Sequence, residues 1–322
     1  MGVDRNFDEY CREYLGQWEQ RATVRHLTRT RLTAEAARSD MFPAAMQPLV
    51  AHAEVAARGD DTRHRILARA TATFQLHVAI LEVDLITDLC IGFVNKGAGV
   101  PVPESARQVV LTVATDESYH AFVAREFLSD LERLTGIVPN ADADMPIVRA
   151  LAALRGAAPP EVERAAETMA LCFAENFVTE ELFGLSREQV PEGPFHTLMR
   201  EHMMDEGRHQ IFFRRLFRHL WGSLDEASRT ELGRLVPIYL DHFLGGTGYE
   251  ASQRDQLEYA GFDRDTAGRV VQEALLAAFG SERPRKSKLK FMRNALNLVE
   301  VSGILEHPPT RQTLVESGWI DA

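Results

Sequence analysis

Two short segments of the sequence place carboxylate and imidazole side chains at the same spacing. Both read Asp-Glu-x-x-His, as DESYH over residues 116–120 and as DEGRH over residues 205–209. A Glu and a His three residues apart are separated by about 300° around a helix, so each pair shares one helix face. Carboxylate and imidazole groups together suit iron and manganese. The two segments predict that facing helices supply four ligands to a pair of metal ions. These ligands are Glu117, His120, Glu206 and His209.

A pair of metal ions needs further carboxylates to offset its charge, and the preceding helices offer them. Glu82 is the only Glu of the predicted helix 61–96 and stands in the apolar context AILEVDLI. A carboxylate in such a stretch is costly to bury unless it is paired or bound to a metal. Asp84 points about 200° away from Glu82 around the helix, so it is the poorer ligand. We therefore expect Glu82 to bind metal.

The fourth carboxylate is sought in the segment CFAENFVTEELF, which contains three Glu residues. In the first half of the pattern, 35 residues separate the lone Glu from the Glu of its pair. Glu175 precedes Glu206 by 31 residues, whereas Glu180 and Glu181 precede it by 26 and 25. The repeated spacing favours Glu175 over the other two.

A third histidine extends the second motif. His202 precedes Glu206 by four residues and His209 by seven. These offsets are about 400° and 700° of helical turn, so the three side chains lie on one stripe. We expect His202 to add one nitrogen ligand to the site.

The aspartates of the two motifs are candidates for a supporting role. A metal-bound imidazole usually donates its other N–H to a carboxylate or carbonyl group. Asp116 and Asp205 each stand four residues before a motif histidine, on the same side of the helix. We expect them to accept these hydrogen bonds. Tyr119 and Arg208, inside the pairs, are assigned no role beyond hydrogen bonding near the site.

Composition restricts the class of protein. The chain has 322 residues, a net charge of −11 and 45% hydrophobic residues, which suits a folded globular protein. The acidic balance argues against nucleic acid as a partner. Three scattered cysteines suit a reducing compartment, and neither a hydrophobic leader nor a membrane-spanning run is evident. We expect a cytoplasmic protein without a membrane partner.

Apolar residues recur at three- and four-residue spacing throughout, which predicts an all-α fold. The chain is expected to form one domain over 1–322, with ligand helices over about 61–221 and a C-terminal helical extension over about 225–317. The segment SERPRKSKLK at 281–290 is locally basic and is expected to be a solvated helix start. The predicted helices are roughly 5–27, 31–57, 61–96, 104–135, 145–155, 159–185, 191–221, 225–243, 265–280, 287–303 and 308–317.

The full set of candidate ligands resembles the di-iron ligand pattern of the p-aminobenzoate N-oxygenase family. Glu-x-x-His pairs alone are general to ferritin-like proteins, but the His-x-x-x-Glu-x-x-His run with its upstream Glu is more specific. The resemblance covers roughly residues 60–220 by motif. The matching residues are Glu82, Glu117, His120, Glu175, His202, Glu206 and His209.

The resemblance implies a ferritin-like helical bundle with flanking helices, a homodimer and a non-haem centre of two iron ions. It implies O2 as co-substrate, two-electron reduction by an external donor that could be a protein, and oxidation of an amino group to a hydroxylamine, nitroso or nitro product. Members usually act in natural-product biosynthesis, on a small amine or an amine held on a carrier protein. The apolar residues beside the ligands are expected to line or support the substrate cavity. These are Leu76, Phe173, Phe177 and Met203, with Cys172 also facing the metal region.

Two alternatives share these ligands. A di-iron hydroxylase or desaturase would oxidise carbon in a small or carrier-bound substrate. A non-catalytic ferritin-like protein would store iron, although about half of this chain lies outside the ligand helices, which is more than such a bundle needs. The types of ligand do not distinguish a manganese site from an iron site.

Overall fold

The described part of the chain is built from helices alone, which confirms the predicted all-α fold. The computed structural model describes residues 5–140, 145–187, 192–243, 247–279 and 292–321. The α-helices are α1 (Arg5–Arg21), α2 (Thr23–His26), α3 (Ala53–Ala57), α4 (Asp60–Ile80), α5 (Asp88–Lys96), α6 (Glu104–Thr135), α7 (Pro146–Ala157), α8 (Glu163–Arg187), α9 (Pro194–Ser223), α10 (Glu226–Phe243), α11 (Thr247–Tyr259), α12 (Arg264–Phe279), α13 (Met292–Val301) and α14 (Pro308–Glu316).

Four long segments form a closed bundle that positions the predicted ligands. Helix α4 continues through a π-helical turn, Leu81–Thr87, into α5, so the predicted helix 61–96 contains one change of helix type. This segment packs against α6, α6 touches α9, α9 packs along α8, and α8 returns to α5 and the π-helical turn. Each helix therefore turns its inner face toward a common axis, as the spacing of the motifs requires.

The bundle core is apolar and rich in aromatic rings. Phe212, Phe213 and Phe217 on α9 are fully buried, and Phe173 on α8 packs edge-on against Phe217. Tyr239 on α10 adds a ring 5.8 Å from Phe173. Rings packed in this way bury large apolar areas and hold α8 and α9 in a fixed relation.

The C-terminal helices cover two different sides of the bundle. Helix α10 packs against α7 and α14, and it tolerates an internal proline, Pro237. Helices α11 and α12 instead pack against α4 and the short 3₁₀-helix Pro48–Ala51, around a separate small core. The predicted extension therefore packs on two faces, and α11 was not foreseen as a helix.

The predicted helix over 31–57 is wrong. The chain there forms three 3₁₀-helices and the short α3. Pro43 and Pro48 lack a backbone N–H and disfavour helical geometry in the residue before them, so a continuous helix cannot pass through both. Gln47, before Pro48, has an extended backbone and caps the following turn by accepting a hydrogen bond from the Leu49 N–H.

Helices within the described ranges are each too short or too polar to span a lipid bilayer. The basic segment 281–290 lies outside the described residues.

Candidate metal centre

The seven predicted ligands all reach the axis of the four-segment bundle. They are 6% exposed or less, although every one of them is ionisable. The π-helical turn carries Glu82; α6 carries Glu117 and His120; α8 carries Glu175; and α9 carries His202, Glu206 and His209.

The ligand atoms fall into two groups, each able to hold one metal ion. Within each group the carboxylate oxygens and imidazole nitrogens lie within 4.8 Å of one another. Glu117 and Glu206 belong to both groups, which is the arrangement expected of carboxylates that bridge two ions. Glu82, His120 and His202 complete the first group, and Glu175 and His209 complete the second.

Glu82 sits in the one part of its helix that departs from α-helical geometry. The π-helical turn Leu81–Thr87 interrupts an otherwise continuous helix, and the Thr87 hydroxyl donates to the Glu82 carbonyl oxygen over 2.7 Å. Such single-turn π-helical segments occur frequently at functional sites. Asp84, two residues on, is exposed, as the helical geometry predicts.

His202 lies where its spacing on α9 places it, against the first metal group. Its Nε2 atom is 3.3 Å from Glu82 Oε1 and 3.3 Å from Glu206 Oε1. Its ring centroid is 3.9 Å from that of His120. The first group therefore has two nitrogen donors and the second has one.

The two aspartates support the histidines, but each supports the histidine of the other motif. His120 Nε2 lies 3.0 Å from Asp205 Oδ2, and His209 Nε2 lies 3.2 Å from Asp116 Oδ2. A carboxylate can only accept, so each imidazole donates Nε2–H outward. The Nδ1 atoms then face inward, where His120 Nδ1 is 2.9 Å from Glu117 Oε2. The pairing predicted within each motif occurs between the motifs.

Three further residues, two of them outside the motifs, hold these aspartates in place. Trp18 Nε1 donates to both oxygens of Asp116 over 3.0 Å. The Thr23 backbone N–H donates to Asp205 over 3.1 Å, and its hydroxyl donates to the same carboxylate. Arg208 donates to Asp205 over 2.5 Å and reaches Asp116 at 3.4 Å.

Sequence reasoning did not find Trp18 or Thr23, and for Arg208 it predicted no more than hydrogen bonding near the site. Trp18 and Thr23 lie 98 and 182 residues from the aspartates they bind, and no local spacing connects them. Arg208 lies inside the second motif, three residues after Asp205. Its type and position were the one signal that could have revealed its role, because Asp and Arg at that spacing share a helix face.

The pKa shifts of the carboxylates that belong to one ligand group are opposite to that of Glu117, which belongs to both groups. Burial raises the pKa of Glu82 well above its ordinary value, and the Glu117 carboxylate raises it further. Burial raises the pKa of Glu175 in the same way. Burial also opposes ionisation of Glu117, but the charges of His209 and His120 outweigh it and lower the Glu117 pKa well below its usual range.

The buried polar atoms of the centre fit a pair of cations. Both carboxylate oxygens of Glu82 and of Glu206, and the His202 Nε2, make no hydrogen bond of good geometry to any residue that the structure describes. Buried polar groups without hydrogen bonds of good geometry are unfavourable. Cations held between them remove that penalty, and four carboxylates balance the charge of two divalent ions. The donor set of oxygen and imidazole nitrogen is suited to iron or manganese.

A cleft leads from the surface to the first metal group. His120 and His202 lie in its wall, together with Gln75 of α4 and Tyr119 of α6. Arg29, whose side chain is 41% exposed, lies at the outer part of the same cleft. The nitrogen-rich side of the centre is therefore the side that borders this cleft.

Leu76, Phe173 and Met203, three of the predicted cavity residues, are not in the lining of this cleft. Leu76 and Phe173 are buried in the bundle core, and Met203 packs partly buried against it. Cys172 is fully buried on α8, and the nearby Glu175 charge contributes to raising its thiol pKa, after burial itself. The side chain of Phe177, like those of the alternative ligands Glu180 and Glu181, lies outside the described residues.

The fold and the site together define a helical protein with a buried carboxylate and histidine centre that can bind metal. A model of the family p-aminobenzoate N-oxygenase AurF matches residues 11–273, more than half of the chain. The chain therefore belongs to this family and is an oxygenase-type enzyme. Comparison with curated protein sequences gave no match.

Proposed function

We propose that the protein is a non-haem di-iron enzyme that uses O2 to oxidise an amino group. The observation that carries this proposal is the sharing of Glu117 and Glu206 between two buried ligand groups. Shared carboxylates are what two closely spaced metal ions require to offset their repulsion. Membership of the p-aminobenzoate N-oxygenase family supports the choice of an amine as the substrate.

The reaction balances with one external reductant. A primary amine, one O2, two electrons and two protons give a hydroxylamine and one water, with a new N–O bond and cleavage of the O–O bond. The electrons come from an external donor, either a redox protein or a chemical reductant. Two bound iron ions supply the redox chemistry that passes these electrons to O2. Repetition of such steps would give nitroso or nitro products.

The residues of the chain would bind the metal ions and orient the imidazole ligands. Glu117 and Glu206 would span both ions, whereas Glu82 and Glu175 would each bind one. The seven residues would hold the two ions, which would supply the redox chemistry of the reaction when bound. Asp116 and Asp205 fix the outward-facing N–H of the imidazoles, which orients these ligands and raises their basicity.

The cleft beside His120 and His202 would admit the substrate amine. Holding the amine nitrogen near the metals, away from bulk water, replaces a collision in solution by an oriented approach. The substrate is a free amine or one held on a carrier protein. We further propose natural-product biosynthesis as the setting, the cytoplasm as the location and a homodimer as the assembly.

Quantitative metal analysis of the purified protein is the first test. We expect about two iron ions per chain after anaerobic reconstitution with ferrous iron, as a two-metal site requires. Glu117→Ala should abolish both iron binding and turnover, and His202→Ala should keep the fold but reduce iron binding. Two manganese ions would indicate another chemistry, and the absence of any bound metal would exclude the proposal.

Product analysis with a reductant and O2 then separates the alternatives. An arylamine should yield hydroxylamine, nitroso or nitro products. Oxidation of carbon in substrates without an amine would instead identify a hydroxylase or desaturase. Uptake of iron well beyond two ions per chain, without turnover, would identify an iron-storage protein.

A further inference from the structure

Gln75 is a buried amide without a partner, in the wall of the cleft that leads to the metal centre. Its side chain is 0% exposed, and neither Oε1 nor Nε2 makes a hydrogen bond within the part of the chain that the structure describes. It precedes Glu82 by seven residues, about two helical turns, so it lies on nearly the same helix face. His120 and His202 line the same cleft.

A buried amide without a hydrogen-bond partner lowers the stability of the fold, so its presence calls for an explanation. Leaving a buried donor or acceptor unsatisfied costs about 1–3 kcal/mol, whereas an apolar residue of the same shape costs nothing of this kind. Another buried glutamine of the fold avoids the penalty, because Gln47 donates to Gln256 across 2.5 Å. Gln75 differs from the other unpartnered glutamines in that it borders the cleft, so a molecule bound there is the candidate partner for its amide.

The other residues that line the cleft show why the Gln75 amide matters for binding. Val78, Val123, Ala124 and Leu198 form the apolar part of its lining beside Gln75. The polar part also includes Thr23, Arg29, Thr30, Tyr119 and Glu201. An apolar pocket with a few placed polar groups is the usual form of a small-molecule site, in which the polar groups fix orientation. Gln75 is the buried amide beside the imidazoles of the first metal group, and its side chain can both donate and accept.

We propose that Gln75 binds the reacting nitrogen of the substrate, with Oε1 accepting a hydrogen bond from the amine N–H. This inference rests on the proposed amine oxidation. The hydrogen bond fixes an N–H toward Gln75 and leaves the nitrogen lone pair free to point to the metal centre. Nε2 of the same amide donates to the oxygen that the nitrogen gains, so one residue serves both the amine and its hydroxylamine product.

Binding of a matched pair of probes to the anaerobic, iron-loaded protein tests this role. The probes are p-aminobenzoate and p-methylbenzoate, which differ in the amino group alone. The wild-type protein should bind p-aminobenzoate more tightly. Gln75→Met should weaken p-aminobenzoate binding by about fivefold or more, the range of one hydrogen bond, and should leave p-methylbenzoate binding unchanged or tighter.

Gln253→Met is the matched control. Gln253 is also a buried glutamine with an unpartnered amide oxygen, but it lies on α11 and does not line the cleft. Its variant should bind both probes like the wild type. The iron content of the Gln75→Met protein should be unchanged, and its metal-free form should melt at the same or a higher temperature, because an unsatisfied polar group has been removed.

Each outcome decides the inference. Retention of the wild-type preference for p-aminobenzoate by Gln75→Met overturns it, even if the enzyme oxidises amines. Failure of the wild type to bind the amine in preference to the methyl probe also overturns it. Loss of the preference in Gln75→Met, in a wild type that binds the amine but yields no N-oxidised product, supports Gln75 and rejects the proposed function.

Discussion

Asp205 accepts its hydrogen bond from His120, a residue 85 positions away on another helix, and not from the His209 of its own motif. Asp116 pairs with His209 in the same crossed manner. The two Asp-Glu-x-x-His segments are thereby joined by two reciprocal hydrogen bonds outside the metal ligands. Each helix thus orients the imidazole that the other contributes, which couples the geometry of α6 to that of α9.

Loss of either aspartate should weaken metal binding without unfolding the protein. Asp205→Asn leaves an amide that accepts less strongly from His120 and no longer balances Arg208. Loss of such outer partners typically lowers metal affinity about 10–100-fold. Metal titration of the purified variant measures this. Asp84→Asn, an exposed aspartate two residues after Glu82, is the control and should bind metal like the wild type. Equal affinity in all three proteins would contradict the assigned role.

The candidate ligand set could largely be predicted from the sequence, because helical spacing is a local property. An offset of three residues from Glu117 to His120, or of seven from His202 to His209, fixes a shared helix face whatever the rest of the fold does. The structure brings every member of the predicted set together. Glu175 required the additional comparison of spacing between the two halves of the chain.

The supporting contacts could not be predicted in the same way. Which helix an aspartate faces depends on how α6 and α9 pack, so spacing within one motif gave the wrong partner for both aspartates. Trp18 reaches Asp116 through tertiary packing of α1 alone. The π-helical turn at Glu82 is equally invisible to a periodicity argument, because one extra residue in a turn leaves the apolar pattern almost unchanged. The absence of a continuous helix over 31–57 could have been predicted from Pro43 and Pro48.

Thr87 should help to set the position of Glu82. Its hydroxyl donates to the Glu82 carbonyl oxygen across the π-helical turn. Thr87→Val keeps the shape but removes this bond, so we expect a loss of stability of about 1 kcal/mol and weaker metal binding. Thr71→Val is the matched control, because Thr71 donates to Leu67 within regular α4. Thermal unfolding and metal titration distinguish the two variants. Thr71→Val should lose stability but bind metal like the wild type. Weakened metal binding in both variants would show that the effect is general to the helix.

The metal-free protein should lose stability as pH rises. Burial and the nearby His202 lower the pKa of His120, but Glu117 and Asp205 outweigh them and raise it to about 9. A histidine with a raised folded-state pKa stabilises fully below its ordinary value of 6.5, and this contribution is lost as pH rises toward 9. The raised pKa of Glu82 acts in the same direction, because its proton is held in the folded state to higher pH.

Unfolding of the metal-free protein between pH 6 and pH 9 tests this sign. We expect the melting temperature to fall across this range. Iron-loaded protein under anaerobic conditions should show an increasing advantage over the metal-free form as pH rises, because metal must displace protons from these ligands. A melting temperature of the metal-free protein that rises toward pH 9 would contradict the electrostatic assignment.

Replacement of two glutamates in one centre should change metal-free stability in opposite directions. Glu82 makes no hydrogen bond of good geometry within the described chain and lies beside other carboxylates. Glu82→Gln removes a buried acid that burial keeps from ionising, so the metal-free protein should gain about 1 kcal/mol. Glu117 is instead ionised and contacts His120 at 2.9 Å and His209 at 2.7 Å. Glu117→Gln leaves those imidazolium charges buried without their partner, which typically costs about 3–5 kcal/mol.

Metal content should then distinguish a terminal ligand from a shared one. Glu82 belongs to one ligand group, so Glu82→Gln should weaken one metal position and leave the group of Glu175 and His209 able to bind. Glu117 belongs to both groups, so Glu117→Gln should weaken both positions. Denaturant unfolding of the metal-free proteins and iron analysis of the reconstituted ones measure the two effects on the same samples. Equal metal loss from both variants would contradict the sharing of Glu117, and equal destabilisation would contradict the difference in ionisation. A stabilised variant with one metal would show that the buried charges of this centre are retained for metal binding at a cost to the fold.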